Sequence, residues 1–378
     1  MPIGLYIHVP FCIKKCLYCD FTSYPVSGRG VKVYLESLIR EINLYGSTLA
    51  GEDKIISSVF FGGGTPTTLP PASFRTVLDE VRASFSLAAG CEITAEANPG
   101  TVDSAGLAQL LEAGVNRLSI GVQSFNDGLL GVLGRVHSAG QALEAVRLAR
   151  KAGFDNINLD FICGIPGQSL HDWRETLNKA VEMAPEHIAA YGLQLEKGTP
   201  LAEAASRGEI CACPEETEEA MYQEAIEILT AHGYQHYEIS NFAKPGRQCA
   251  HNLVYWLNRP YLGLGPAAHS FIGGSRFSND ASLERYSDRL SREEYPVENK
   301  TLLSAEDEMS ETMFLGLRLT GGIDLDLFHK RFGRRAEDIY RREIEGLIDK
   351  GLLEMSGGRL CLTKKGLPLA NIVFREFV

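Results

Sequence analysis

Three cysteines lie close together near the start of the chain, at Cys12, Cys16 and Cys19, in a C-x3-C-x2-C spacing. Three thiolates on so short a loop can bind three irons of a cubane iron–sulfur cluster and leave the fourth iron open to a small molecule. A zinc site would need a fourth donor such as His8, and zinc ligands normally come in C-x2-4-C pairs. The spacing therefore favours an iron–sulfur cluster over zinc or plain buried thiols.

A glycine-rich turn, FGGGTPT at residues 61–67, is the second feature that could do chemistry. Glycines let the backbone approach a ligand closely and leave N–H groups uncovered. No lysine follows the glycines, so the turn is not a nucleotide-binding P-loop. Taken alone, such a segment is more often only a turn. Its position one strand and one helix after the cysteine motif indicates a ligand site shared with the cysteines.

Short apolar runs that are typical of buried parallel strands recur through the first half of the chain, with helices between them. The predicted strands are Leu5–Val9, Ile56–Phe61, Glu92–Glu96, Arg117–Val122, Asn156–Cys163 and His187–Leu193. The predicted helices cover 31–42, Ala72–Ser84, Ser104–Ala113, Gln141–Ala152 and Leu170–Met183. Six successive β-α units predict an α/β protein with a parallel barrel or partial barrel. Such folds carry their chemistry at the C-terminal ends of the strands, where the unusual residues fall.

The pattern changes beyond about residue 200. Pro214, followed by four glutamates, predicts a helix start, and the segment Tyr237–Phe271 is rich in turn residues and aromatics. Near the end, a helix predicted over Ile344–Leu353 and a hairpin over Glu354–Leu362 form a winged-helix pattern. The predicted domains are a barrel core at 1–200, an extension at 201–300, and a mixed α+β, winged-helix-like domain at 301–378.

The composition limits the partners. The 37 Lys+Arg against 48 Asp+Glu give a net charge of −11, and phosphate backbones are bound by clustered cations. We therefore expect no nucleic-acid partner and interpret the winged-helix pattern as a packing module. No apolar run is long enough to cross a bilayer, and the N-terminus lacks the basic and apolar regions of a signal peptide. A cytoplasmic protein with reduced thiols is expected.

The cysteine motif together with the glycine turn resembles the radical S-adenosylmethionine (SAM) superfamily. The resemblance implies a partial (β/α)6 radical SAM barrel in which the three cysteines hold a [4Fe-4S] cluster. It also implies that the amino and carboxylate groups of SAM chelate the open iron, and that reduction of the cluster cleaves SAM. The cofactor supplies that chemistry, while the protein supplies orientation.

Further motifs narrow the resemblance. They are LYIHVPFC at 5–12, AEANP at 95–99, SIGVQSF at 119–125, LGRVH at 133–137 and NLDFICGIPGQ at 158–168. These segments are similar to one branch of the superfamily, which comprises the oxygen-independent coproporphyrinogen III dehydrogenases and the HemW-type haem chaperones. The similarity covers nearly the whole chain, so the resemblance does not depend on one motif.

The resemblance implies a set of SAM-binding residues. They are Tyr6, Tyr18, Gly63, Gly64, Thr65, Glu96, Gln123, Arg135 and Asp160. The chemistry is consistent, because Glu96 and Asp160 suit cationic or hydroxyl groups and Arg135 suits a carboxylate. Each acid taken singly is more often part of a strand-end salt bridge. Their shared position at strand ends favours contact with SAM.

Two features favour the chaperones within this branch. The dehydrogenases carry a further cysteine two residues after the third, where this chain has Phe21, and they have a longer N-terminal arm. We therefore expect a protein that binds the cluster, SAM and haem, and that delivers haem to haem-requiring clients, which can be membrane-associated. The alternatives are oxidative decarboxylation of coproporphyrinogen III and radical chemistry on an unrelated substrate.

The run HNLVYW at 251–256 matches an HNxxYW motif that is characteristic of the HemW-type chaperones. By that resemblance His251 is the expected axial ligand of haem iron, since imidazole is a standard haem ligand. Tyr255 and Trp256 could stack against the porphyrin, and His269 and then Cys249 are the next candidates for the ligand. The alternative is that His251 only satisfies buried carbonyls in an aromatic loop.

Overall fold

The computed structural model describes all 378 residues, arranged around one sheet of twelve strands with two smaller sheets beside it. The strands are β1 (Ile3–Val9), β2 (Phe11–Cys12), β3 (Tyr24–Pro25), β4 (Ile55–Gly63), β5 (Ser86–Ala97), β6 (Arg117–Gln123), β7 (Ile157–Cys163), β8 (His187–Gly192), β9 (Gln235–Glu238), β10 (Asn241–Ala243), β11 (Tyr261–Leu264), β12 (His269–Ile272), β13 (Ser275–Asn279), β14 (Val297–Leu302), β15 (Ile323–Asp324), β16 (Leu353–Ser356) and β17 (Arg359–Leu362). The helices are α1 (Gly28–Thr48), α2 (Pro71–Ser84), α3 (Ser104–Ala113), α4 (Asp127–Val132), α5 (Ala139–Ala152), α6 (Leu170–Glu182), α7 (Pro200–Ser206), α8 (Glu215–Ala231), α9 (Ala250–Trp256), α10 (Leu283–Ser291), α11 (Ala305–Gly316), α12 (Leu325–Phe332), α13 (Ala336–Ile339), α14 (Arg341–Asp349) and α15 (Ala370–Arg375).

Six parallel strands form the centre of the large sheet, in the order β1-β4-β5-β6-β7-β8. Helices α1, α2, α3, α5 and α6 lie between them in the chain, as the alternation of apolar runs and amphipathic segments predicts. The α/β class and the partial barrel of six β-α units are therefore confirmed. A parallel arrangement brings the C-terminal ends of all six strands to one edge.

Local sequence sets the limits of the helices between the strands. Helix α5 begins at a capping box, in which the Ser138 hydroxyl accepts from the backbone N–H of Gln141 and the Gln141 side chain accepts from Ser138. The same helix ends at Gly153, whose φ of 109° places it in the left-handed region that glycine tolerates best. These ends fix where β7 can begin.

The two faces of β1 carry different side chains. Leu5 and Ile7 are fully buried in the large hydrophobic core that lies between the sheet and the outer helices. Tyr6 and His8 alternate with them and therefore face the barrel interior. The alternation of side chains thus separates a packing face from an interior face along the strand.

The register of the parallel strands sets rows of side chains across the interior. One row consists of Tyr6, Phe60, Thr94 and Arg117. The next row towards the C-terminal edge consists of Glu96, Ser119, Asn158 and His187. Parallel barrels usually fill such layers with branched apolar residues, so these polar rows indicate a binding site above them rather than a plain core.

Residues 201–300 extend the same sheet on both sides. Strands β10 and β9 pair in antiparallel fashion next to β8, whereas β11 pairs in parallel with β1 and continues into β12, β13 and β14. Helix α8 begins after Pro214, as predicted, and packs on α6, where Trp173 Nε1 donates to the Met221 carbonyl at 2.8 Å. This region shares the hydrophobic core of the barrel.

The C-terminal region has a hydrophobic core of its own, from Met309 to Phe377, and a sheet in the order β15-β17-β16. The predicted hairpin is present, but the predicted helix over 344–353 extends too far. Helix α14 ends at Asp349 because Gly351 adopts a φ of 71°, and Leu353 already belongs to β16. None of the helices is long and apolar enough to span a membrane.

A candidate cofactor site at the C-terminal edge of the barrel

The cysteine motif forms a loop that is pinned at both ends. Strand β2, which contains Cys12, pairs in parallel with β3 at the end of the loop. The backbone N–H of Tyr24 donates to the Pro10 carbonyl at 2.7 Å, and that of Val26 donates to the Cys12 carbonyl at 3.2 Å. The loop therefore leaves and re-enters the barrel at one point, directly after β1, and all three thiols lie on it.

A cavity of about 480 Å³ opens beside this loop at the C-terminal ends of the strands. The predicted site residues that line it are Cys12, Cys16, Cys19, Tyr18, Gly63, Gly64, Thr65, Glu96, Gln123, Arg135 and Asp160. Tyr6 is not among the lining residues. Its hydroxyl lies 3.1 Å from Nδ1 of His8, inside the barrel, so the structure does not bring it to the cavity wall.

Side chains from separate loops form one network that connects two of the cysteines. The Cys12 thiol contacts the Thr65 hydroxyl at 3.7 Å, and that hydroxyl accepts from Asn98 Nδ2 at 2.8 Å. Asn98 Oδ1 in turn accepts from the Arg135 guanidinium at 2.5 Å, and Arg135 also donates to the Cys16 sulfur at 3.4 Å. The cysteine loop is thus held against the glycine turn and the β5 and β6 loops by hydrogen bonds.

Two acids, Glu96 and Asp160, line the cavity together with the cysteines. Asp160 accepts from the Ser119 hydroxyl at 3.1 Å and from Asn158 Nδ2 at 2.8 Å. Burial raises the pKa of Asp160, while these hydrogen bonds lower it. Burial, followed by the negative charge of Asp160, raises the pKa of Glu96 to about 8. A cationic or hydroxyl-bearing ligand is the natural partner of such a pair.

The glycine turn packs closely against the cysteine loop. A Cβ on Gly64 would lie 2.6 Å from the Phe11 carbonyl oxygen and 2.9 Å from that of Val9. A Cβ on Gly63, whose φ is 107°, would lie 2.6 Å from the His8 ring. The N–H groups of Gly64 and Thr65 donate to the Val9 and Phe11 carbonyls. The absence of side chains therefore serves this packing, while contact of Gly63 and Gly64 with SAM from the cavity side stays a prediction.

Substitution of Gly64 by valine is therefore expected to reduce cluster loading as well as SAM binding, because the side chain would displace the backbone next to Cys12. Iron per chain after anaerobic reconstitution is the measurement. Gly131→Val is the control, since a Cβ on Gly131 meets nothing within 4 Å. If Gly64→Val keeps its full iron content and loses only SAM binding, the valine side chain excludes SAM directly and the cysteine loop is not displaced.

Gln123 lies in a strained conformation at the end of β6. Its φ of 66° is left-handed, and the pairing of β6 with β7 shifts between Gly121 and Gln123. Gly121 has no room for a side chain, because a Cβ there would lie 2.9 Å from Asn98 Oδ1 and from Gln123 Nε2. Among the five non-glycine residues with a positive φ, Gln123 is the one that lines the cavity, and backbone strain of this kind often occurs at binding sites.

His251 lies in helix α9 and not in a loop, and its side chain is buried inside the barrel at 1% exposure. Its Nδ1 is 2.9 Å from the Ser58 hydroxyl and its Nε2 is 2.8 Å from the Tyr255 hydroxyl. Burial lowers the pKa of His251 to about 3, so the ring is neutral. Both ring nitrogens are occupied in this arrangement. Ligation of haem iron by His251 stays a prediction, and it requires a rearrangement of this helix.

The other residues predicted around the haem differ in accessibility. Trp256 is covered by the Arg318 guanidinium, 4.3 Å from the ring centre. Cys249 is buried at the start of α9, where Glu92 accepts from the next backbone N–H at 3.0 Å. His269 is exposed at the start of β12. Of the three candidate ligands, His269 alone presents its ring to solvent.

The donor set fits an iron–sulfur cluster. All three cysteines are free and partly exposed on one wall of the cavity. No three His, Cys, Asp or Glu side chains are grouped so that they could hold a single metal ion. Thiols that line a cavity without meeting at one point suit ligands that each bind a different iron. Cys12, Cys16 and Cys19 would hold the cluster, and the acids and Arg135 would surround a ligand beside it.

Several cavity residues escape the sequence interpretation. Asn98 and Ser119 are held within the hydrogen-bond networks described above, and Tyr191 lines the cavity from the end of β8. Asn98 falls within the AEANP motif, so the motif itself could have indicated it. Ser119 likewise begins the SIGVQSF motif, whereas Tyr191 has no local signal, because only the barrel register places it at the cavity.

Comparisons with known proteins agree with this site. Residues 6–180 match the family model of the radical SAM superfamily, and residues 303–369 match that of the HemN C-terminal domain. The solved structure of the coproporphyrinogen III oxidase HemN from Escherichia coli, described as a radical SAM enzyme, superposes with a TM-score of 0.85 at 25% identity, covering 100% of this chain and 90% of that one. The fold and the cysteine-lined cavity are those of a radical SAM protein, a class that implies a [4Fe-4S] cluster and SAM.

Full-length relatives define the family more closely. The heme chaperone HemW of Bacillus subtilis is 37% identical over 375 residues, which cover 99% of this chain and 98% of that protein. The heme chaperone HemW of Escherichia coli is 35% identical over 381 residues, covering 100% and 98%. The chain belongs to the HemW family.

Proposed function

We propose that this protein is a haem chaperone of the radical SAM fold. It binds a [4Fe-4S] cluster, SAM and haem in the cytoplasm and transfers haem to haem-requiring client proteins, membrane-associated ones among them. The observation that carries the proposal is the full-length similarity to the HemW chaperones, at 35% to 38% identity. The HemN oxidase also matches over the whole chain, but at the lower identity of 25%.

The geometry supports the cofactor part of the proposal. Cys12, Cys16 and Cys19 lie on one loop beside a cavity large enough for a small ligand. The cluster, when bound, would offer an open iron that the amino and carboxylate groups of SAM could chelate, and would supply the electron that SAM cleavage needs. Arg135 holds the cysteine loop through Cys16, and Glu96 lines the cavity, where its carboxylate would stabilise a cationic group. The chain's own residues thus bind and orient the ligand.

The second candidate function is oxidative decarboxylation of coproporphyrinogen III. Two observations favour it, which are the superposition on the HemN oxidase and the match to its C-terminal domain. Against it stands Phe21, which is 62% exposed at the position where the sequence resemblance to the dehydrogenases calls for a cysteine. A phenylalanine cannot replace a thiol as a ligand or reactant.

Cluster-loaded protein is expected to leave coproporphyrinogen III unchanged. The experiment is strictly anaerobic incubation with coproporphyrinogen III, SAM and a reductant, with the tetrapyrroles separated and quantified over time. An authentic dehydrogenase assayed in parallel is the positive control. Multiple turnovers by this protein would reject the chaperone proposal in favour of the enzyme.

A further inference from the structure

The mouth of the cavity carries an unusual surface, which we call the loop rim and define as Ile13, Lys14, Lys15 and Phe21 of the cysteine loop. Ile13 is 58% exposed and Phe21 is 62% exposed. Single exposed apolar residues are common, but these two lie on the same short loop at the opening of a cavity. Lys14, Lys15 and Phe21 line the cavity itself.

The two lysines of the loop rim have no acidic partner. The ion pairs that lysines form in this protein involve Lys32, Lys244 and Lys350, all elsewhere. Exposed lysines without an ion pair are common in this chain, and Lys364 and Lys365 are another adjacent example. Lys14 and Lys15 differ from them because both line the mouth of the cavity, where their ammonium groups are available to an anionic ligand.

The mouth of the cavity also carries carboxylates. Glu196 lines it together with Tyr191, which is 40% exposed. Asp20, on the cysteine loop itself, lines the cavity as well. A ligand with two acidic groups on one edge would be attracted by the lysines and repelled by these carboxylates, so we expect its acidic edge to face the lysines.

We propose that the loop rim is the haem-docking surface, where Lys14 and Lys15 bind the two propionates and Ile13 and Phe21 contact the face of the macrocycle. Haem matches this surface because it is a flat apolar disc with two carboxylates on one edge. Aromatic and aliphatic side chains cover such a face, and ammonium groups bind carboxylates. The inference rests on the proposed function and adds the place and the orientation of the haem.

The test compares haem with haem dimethyl ester, which has the same macrocycle but no propionate charge. Cluster-loaded full-length protein is titrated anaerobically with each. The variant Lys14→Ala/Lys15→Ala should bind haem about tenfold more weakly and bind the ester unchanged, as expected for two exposed ion pairs. Phe21→Ser should weaken the binding of both ligands, because it removes an apolar contact that they share.

Matched controls separate these effects from general ones. Lys364→Ala/Lys365→Ala removes another exposed adjacent pair, in the C-terminal region, and Leu302→Ser removes an apolar side chain that is 75% exposed on β14. Both controls should bind haem like the unmodified protein. Iron content and circular dichroism check that every variant is folded and loaded.

Two results would overturn the assignment of the loop rim as the haem-docking surface. Both can be distinguished from a result that rejects the proposed function. Unchanged haem affinity in Lys14→Ala/Lys15→Ala would show that the lysines serve another partner, such as an acidic electron-carrier protein. Equal affinity of the unmodified protein for haem and its ester would exclude recognition of propionates. Absence of saturable haem binding to the unmodified protein would instead reject the proposed function itself.

Discussion

Serine at Cys12, Cys16 or Cys19 is expected to eliminate the iron–sulfur cluster, with iron falling from about four atoms per chain to nearly none after anaerobic reconstitution. Each thiolate binds a different iron, and a serine hydroxyl is a poor replacement for a soft thiolate ligand. The measurement combines iron analysis with the thiolate-to-iron absorption band. SAM binding should be lost in the same variants, because the open iron is part of its site.

Cys211 provides the matched control for this experiment. It is exposed, distant in sequence from the motif, and does not line the cavity. Cys211→Ser should therefore retain the full absorption band. Stoichiometric zinc without iron in the unmodified protein would contradict the cluster assignment, as would full iron content in all three motif variants.

SAM affinity is expected to fall as the pH is lowered, because the carboxyl group of Glu96 must lose a proton to bind a cationic ligand. The pKa of Glu96 is raised to about 8 in the free protein, so its carboxyl group is mostly protonated at neutral pH. Protonation of a group with this pKa should reduce the affinity for SAM about 20-fold as the pH is lowered from 8.5 to 6.5. Isothermal titration at several pH values measures the profile, and titration in buffers of different ionisation enthalpy should show proton release.

Glu96→Gln removes the titrating group and should flatten this profile, whereas Glu112→Gln, on the exposed face of α3, should leave it unchanged. The same raised pKa affects the ligand-free protein. Because the folded state holds the proton more tightly than the unfolded state, the contribution of Glu96 to stability falls as the pH rises from about 4.5 to about 8. A pH-independent SAM affinity in the unmodified protein would contradict the role given to Glu96.

Much of the fold could be predicted from the sequence, because the parallel strands are buried on both faces and form continuous apolar runs. Strand β5 shows where this fails. It begins at Ser86, six residues before the predicted start at Glu92, because Gly90, with a φ of 73°, separates the short half-exposed run Leu87–Ala89 from the buried part of the strand. Pairing with β4 holds that part in the sheet, and pairing partners are not visible in a local pattern.

Helix α9 could not be predicted for a different reason. It has only seven residues, too few for a helical period to stand out from a segment rich in aromatics. It is stabilised by tertiary contacts instead, since Glu92 of β5 accepts from its first backbone N–H groups. This placement inside the barrel explains why His251 is bonded to Ser58 and Tyr255, which no local reading of HNxxYW indicates.

The candidate site, like the fold, could be predicted from the sequence only in part. The cysteine spacing predicts the cluster ligands because the pattern is local to eight residues of one loop. The contact of Arg135 with Cys16 joins residues 119 positions apart, and the reason for Gly64 lies in the backbone of Phe11. Such contacts depend on the closure of the barrel and become visible only in three dimensions.

The most direct test of the central claim, that this radical SAM protein carries haem, is a spectrophotometric haem titration of the cluster-loaded protein under anaerobic conditions. The proposed function predicts a saturable change in the Soret band while the iron–sulfur absorption is retained. The proposed function would be contradicted if added haem gave only the spectrum of free haem and if the absorbance change did not saturate at a several-fold excess of haem over protein chains.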